Sequence, residues 1–305
     1  MSISVLREIR GGLRNLNPSE VRELAEQRFT IGLLAENESA FQDMTRFLAP
    51  PGISDQKARQ AGRRALRIER TEDFARCDFG LCEAHLEHPS HFYPFDSSEP
   101  GQTVSRFLDR REDLWIPVAR HFGAFQDAVV ERLIRKIARE NALVAVAAAI
   151  PNVVPSLAEL PWLLGDFASD TAFLTVNQIR LAFLIAAASD APVGYLEQRG
   201  QIASIVTSAF GWRALARELV SKVPFGGGLV PKGLIAFAGT YAVGKGLERY
   251  QQVGRGLTAE EKRELYARGY ERGRVIVEEI VERWKGRDRP ASEGAPRWVV
   301  TRRIP

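Results

Sequence analysis

The sequence predicts an α/β amino-terminal domain with a small, partly parallel sheet, joined to an all-α helical bundle. Three observations predict it. Compact β-favouring runs at 29–34, 65–68 and 78–82 alternate with helical patterns. Periodicity then fails from His85 to about Gln102, where Pro89, Pro94 and Pro100 punctuate polar residues. Beyond that break, Glu140 to Gly246 is a succession of Ala-, Leu- and Gly-rich helical patterns cut by Pro151, Pro155, Pro161, Pro192, Pro224 and Pro231.

The first helix start stands at Asn17: Asn caps, Pro18 suits the first helical position, and Glu20 follows three residues after the cap. The run Phe29 to Leu34 reads as a strand. Asn37 then caps a helix whose Phe41, Met44, Phe47 and Leu48 recur at helical spacing up to Pro50. Ala65 to Ile68 reads as a second strand, Thr71 to Ala75 as a short helical turn, and Asp78 to Cys82 as a third strand. Helices follow at 104–108 and 114–122, then a long amphipathic one at 125–150 with Val129, Leu133, Ile137, Leu143 and Val144 on its apolar stripe. Further helices are expected at about 156–165, 171–188, 195–207, 209–222, 229–248 and 258–284. Thr258 and Glu261 form a capping box on the last, and Gly286 with Pro290 ends it. The expected organisation is a helical lead-in (1–27), an α/β domain (28–100), connecting helices (101–123), a helical bundle (124–285) and a flexible basic tail (286–305).

Composition bounds function. At 305 residues, with 45% hydrophobic and 26% charged side chains, the chain can bury a sizeable core. The formal charge of +4 is small, and much of it sits in Arg287, Arg289, Arg297, Arg302 and Arg303. The body is close to neutral, which argues against a dedicated nucleic-acid surface. Cys77 and Cys82 lie on one expected strand whose side chains alternate sides, so a disulfide between them is disfavoured. Charges in Met1 to Arg10 break any apolar signal segment, and a cytoplasmic location is expected. A spanning helix needs about 20 apolar residues. Asn141–Ala158 is broken by prolines, Thr171–Ser189 carries Arg180, and Val223–Gly244 carries Lys232, so a buried bundle is expected over a membrane-spanning one.

Glu140-Asn141-Ala142, Ile150-Pro151-Asn152-Val153-Val154-Pro155, and Val223-Pro224-Phe225-Gly226-Gly227-Gly228 leading into Phe237 to Gly244 together resemble an uncharacterised bacterial helical domain. That domain is often found directly after an Era-like GTPase domain, and some members are membrane associated. The likeness covers about 125–285. It implies a GTPase-like region in front. The window that matches a phosphate loop is Gly32-Leu33-Leu34-Ala35-Glu36-Asn37-Glu38-Ser39, in which Asn37 replaces the second glycine and Glu38 the lysine. A carboxylate facing polyphosphate is repulsive, and no Asn-Lys-x-Asp sequence occurs in the chain, so the region is read either as a degenerate G domain that keeps only the scaffold, which is favoured, or as an unrelated α/β unit.

Two other clusters carry chemistry. Cys82, His85, His88 and His91 stand at three-residue intervals, a set zinc accepts although the spacing fits no common motif. Arg132, Arg135, Lys136 and Arg139 form a strip on the long helix, read either as a solvated, ion-paired face or as a contact for anionic headgroups or a partner. Asp78-Phe79-Gly80 lacks the companion motifs of a kinase. The expected function is a non-catalytic regulatory or scaffold protein with no cofactor, cytoplasmic or peripheral at the inner membrane face. It docks through its helical domain onto a protein partner, a GTPase or a second copy of itself. The alternatives are a nucleotide-binding switch with an unorthodox phosphate loop, and a metal-dependent enzyme using the Cys82, His85, His88 and His91 cluster.

Overall fold

The computed structural model describes residues 3–148, 170–207 and 229–287. It is mostly helical, with one small parallel sheet. Helix α1 (Ile3–Asn15) and α2 (Pro18–Glu26) precede β1 (Ile31–Leu34); α3 (Glu38–Leu48) and α4 (Asp55–Arg64) lead to β2 (Ala65–Arg67). A 3-10 turn (Thr71–Arg76) precedes β3 (Phe79–Cys82), and β4 (Phe92–Pro94) is followed by α5 (Pro100–Arg110). A short 3-10 turn (Glu112–Leu114) runs into α6 (Trp115–His121), α7 (Gly123–Ala147) and α8 (Asp170–Ala188). Helix α9 occupies 199–207, and α10 (Leu229–Val253) and α11 (Ala259–Arg287) complete the described chain. The expected helices at 156–165 and 209–222, the Ile150–Pro155 and Gly226–Gly228 segments, and the tail from 288 lie outside the described residues.

The sheet order is β2-β1-β3-β4, all strands parallel. Alternation divides its two faces. Ile31, Leu33, Phe79, Leu81 and Tyr93 join the main core with Phe29, Phe107, Phe122 and Phe125, while Cys82 and Phe92 turn to a smaller cluster with Ile68 and Cys77. Gly32 and Gly80 lie opposite each other on this second face, and a Cβ on either would collide with the Phe92 ring. The glycines are the recess into which that ring packs.

Local signals behave as their chemistry requires. Asn17 Oδ1 accepts from Ser19 N at 3.0 Å, and Asn37 Oδ1 accepts from Ala40 N at 3.0 Å. Thr258 and Glu261 close a reciprocal capping box, at 3.2 and 2.8 Å. Each such cap stabilises its helix by about 1 kcal/mol. Within the helical lead-in, α1 packs Val5, Ile9 and Leu13 onto Ala172 and Val176 of α8; α4 and strand β4, the latter in the stretch that reads as irregular, are additional to the expected elements. One correction concerns the cysteines. Cys77 ends the 3-10 turn and does not lie on β3, so both thiols enter the Phe92 cluster; both are free.

The core is continuous from the sheet to α11: Ile31, Phe79, Phe125, Ile134, Phe183, Phe237 and Val277 belong to one cluster. Helix α10 lies between α7 and α11, and Gly233 is packed against Val146 and Val277. Across this seam Glu131 binds three cations: Arg135 at 2.9 Å, Arg272 at 2.8 Å and Lys245 at 3.0 Å. Burial opposes the Lys245 charge, but Glu248 and Glu131 outweigh it and hold its pKa above the ordinary value. One helix among the described residues, at Thr171–Ala188, is long and apolar enough to cross a membrane, and most of it is buried inside the protein.

Candidate functional site

In an open parallel sheet, ligands bind beyond the carboxyl ends of the strands where the strand order reverses. Here that place is between β1 and β3, since β2 lies on one side of β1 and β3 with β4 on the other. The register pairs Leu34 with Cys82, so the loops that open there begin at Ala35 and Glu83.

The side chains at this crevice bind one another. The Glu36 backbone N–H donates to Glu83 Oε2 at 2.6 Å, and the Glu83 N–H returns a bond to Leu34 O at 3.2 Å. His85 Nε2 stands 3.0 Å from Glu36 Oε2, both residues exposed. On the other side Arg67 of β2 donates to Glu38 Oε2 at 2.7 Å and stacks its guanidinium over Phe41, 4.5 Å from the ring centroid. The hydrogen bond from Arg67, with a second from Gln42, holds the Glu38 carboxyl below the usual carboxylate range. Three carboxylates, one arginine and one histidine therefore rim the crevice. In that balance a polyphosphate is repelled, not attracted.

Gly32 is inside β1, so only 35–37 separate strand from helix, and Ser39 lies in the first turn of α3. Asp78 is at the opposite end of the sheet, where its Oδ2 accepts from Thr30 N at 2.8 Å.

The Cys82, His85, His88 and His91 set does not converge. Cys82 is buried in the Phe92 cluster, and burial pushes its thiol up to about 12. His85 turns to Glu36, His88 Nδ1 donates to Leu86 O at 2.7 Å, and His91 Nε2 donates to Phe74 O at 3.3 Å. Among the described residues no group of three or more His, Cys, Asp or Glu side chains is gathered to hold a metal ion.

The basic strip on α7 is largely ion-paired within the chain. Arg132 reaches Asp109 at 2.6 Å, Arg135 reaches Glu131, and Lys136 reaches Glu112. Arg139 is exposed and makes no ion pair among the described residues. Two of these pairs fasten α7 to the α5 region, a use that sequence spacing cannot show because the partners are 23 and 24 residues away.

Sequence reasoning missed two features. One is a polar seam in the bundle: Asn141 Nδ2 donates to Thr240 Oγ1 at 2.7 Å, Gln178 Nε2 to the same hydroxyl at 3.2 Å, and Asn177 Nδ2 to Asn141 Oδ1 at 2.8 Å. Beside it the half-buried Arg180 meets Glu140 at 3.2 Å. Single polar letters in apolar helical patterns were its only signal. The other is an apolar cleft of about 330 Å³ between α9, α10 and the α10–α11 turn, lined by Ile205, Val243, Leu247, Tyr250 and Leu257 with Lys262 at its rim. No family model, no curated protein and no solved structure matches this chain.

Proposed function

We propose that this chain is a non-catalytic regulatory or scaffold protein, in which the strand-loop-helix at β1 and α3 is what remains of a nucleotide-binding scaffold. The observation that carries the non-catalytic half is the Glu83 carboxylate on the Glu36 N–H, 2.6 Å away. A loop amide at the switch point is a position where a bound phosphate would be received, and the chain fills it with its own anion.

The docking half rests on the cleft beside α10. Its walls are apolar, Tyr250 is exposed, and Lys262 makes no ion pair among the described residues. This combination suits an amphipathic helix of a protein partner that offers an apolar side chain to the cleft and a carboxylate to Lys262. The setting we carry forward from the sequence is cytoplasmic or membrane-peripheral, with a GTPase, as the resemblance implies, or a second copy as that partner.

The test is a thermal-shift titration of the full chain with GTP, GDP and ATP in the presence of Mg²⁺. No shift at millimolar nucleotide is expected. A saturable shift, altered in Glu38→Ala, replaces the scaffold reading with a nucleotide switch. Sedimentation velocity of wild type against Tyr250→Glu then asks whether the partner is a second copy.

A further inference from the structure

The edge of the sheet carries a second opening, independent of the docking surface. Between β4 and α5 lies a pocket of about 320 Å³, to which His88, Ser90, Tyr93, Arg106 and Arg110 contribute. Its volume is at the lower end of small-molecule sites, roughly 300 Å³.

The charge at this pocket is unbalanced for a local reason. The next three carboxylates after Arg106 are already taken, Asp109 by Arg132, Glu112 by Lys136, and Asp113 by Arg111 at 2.7 Å, and Glu87 beside His88 does not line the pocket. Arg106 and Arg110, one turn apart on the same face of α5, make no ion pair among the described residues. Two like charges at that spacing repel until an anion sits between them. No carboxylate lines the pocket.

The remaining lining groups add donors. The Ser90 and Tyr93 hydroxyls make no hydrogen bond among the described residues. A strand cannot be added here. Gly80 N to His91 O and Phe95 N to Cys82 O turn His91 and Phe95 inward, so Phe92 and Pro94 face outward. The Phe92 N–H is taken by Pro89 O at 3.0 Å, proline has none, and Pro94 O accepts from Thr103 Oγ1 at 2.7 Å. An extended peptide therefore finds no ladder, whereas a compact anion finds two guanidinium forks and neighbouring hydroxyls.

We infer that the pocket between β4 and α5 binds a small phosphate monoester through Arg106 and Arg110. Two planar forks suit a dianion better than a single carboxylate. A soluble metabolite and a lipid headgroup share this chemistry.

Calorimetric titration of the full chain with glycerol 3-phosphate tests it, with glycerol as the uncharged control. Saturable binding is expected for the phosphate alone. Arg106→Ala and Arg110→Ala should each weaken it about tenfold or more, and Arg59→Ala, an exposed arginine of α4 outside the pocket with no ion pair among the described residues, should leave it unchanged. Thermal melts of the three variants check that each remains folded. No saturable heat up to about 10 mM ligand overturns the inference, as does equal loss in Arg59→Ala, which would mark diffuse attraction. Co-sedimentation with phosphatidate-containing vesicles separates the sources. Vesicle binding that glycerol 3-phosphate displaces, and that Arg106→Ala and Arg110→Ala reduce, supports a lipid headgroup as the source; vesicle binding indifferent to both, beside Arg-dependent calorimetric binding, supports a soluble ester.

Discussion

The side-chain amide of Asn141 on α7 donates to the hydroxyl of Thr240 on α10 at 2.7 Å, and both residues are fully buried. Gln178 on α8 donates to the same oxygen, so one hydroxyl ties three helices. Replacing it with an apolar group of similar shape strands two amide donors in an apolar bundle. Thr240→Val is expected to destabilise the protein by about 2–3 kcal/mol, read from urea unfolding. A loss well under 1 kcal/mol would mean that the amides find other partners.

The Phe92 recess gives a prediction with a rescue. Gly80→Ala places a methyl group against the Phe92 ring and should cost about 1–3 kcal/mol. Phe92→Leu relieves the collision at the cost of lost packing, so the double variant should be more stable than the sum of the single losses predicts. Strict additivity in a double-mutant cycle would remove the recess as the reason for the glycine.

His121 sets a pH dependence. Burial, with Arg64 and Arg120 adding, depresses its pKa from 6.5 to about 4. Below pH 6.5 the unfolded chain takes up a proton that the folded chain refuses until about pH 4, so stability falls as pH drops through that window and is unaffected above it. The urea midpoint of wild type should therefore decline between pH 6.5 and 4 more steeply than that of His121→Gln. Parallel pH profiles would contradict the depressed pKa.

Cys82 should be inert in the folded protein. Burial raises its thiol to about 12, so almost no thiolate exists at pH 8. A chromogenic disulfide reagent is expected to modify Cys82 only on addition of denaturant, as followed by mass spectrometry of the peptide. Rapid native-state labelling would mean that the Phe92 cluster opens readily.

Much of the architecture was legible because it is written locally. Asn17, Asn37 and the Thr258 and Glu261 box each act within three residues, so spacing alone identified them. Helix α4 was hidden because of its residues only Ala61 is buried, leaving no apolar stripe to count. Strand β4 has three residues and ends in proline, too short for any period. In α1 the Val5, Ile9 and Leu13 repeat was present but is interrupted by Gly11 and Gly12. At the switch point the residue types were visible, but the pairings were not. Glu36 with Glu83, and Arg67 with Glu38, span 47 and 29 residues, and only the parallel register brings them together. Gly32 falls both in the strand pattern and in the phosphate-loop window, and neither pattern shows that a phenylalanine 60 residues away requires it.

The docking of α1 onto α8 sets an order of events during synthesis. Val5, Ile9 and Leu13 find Ala172 and Val176 only after more than 150 further residues have been made, and Tyr195, whose hydroxyl donates to Leu13 O and Leu16 O, comes later still. At about 5–20 residues per second α1 waits on the order of 10–30 s with its apolar stripe uncovered. Helix α1 is thus a late-closing clasp, and a nascent chain stalled before α8 would expose it to chaperones.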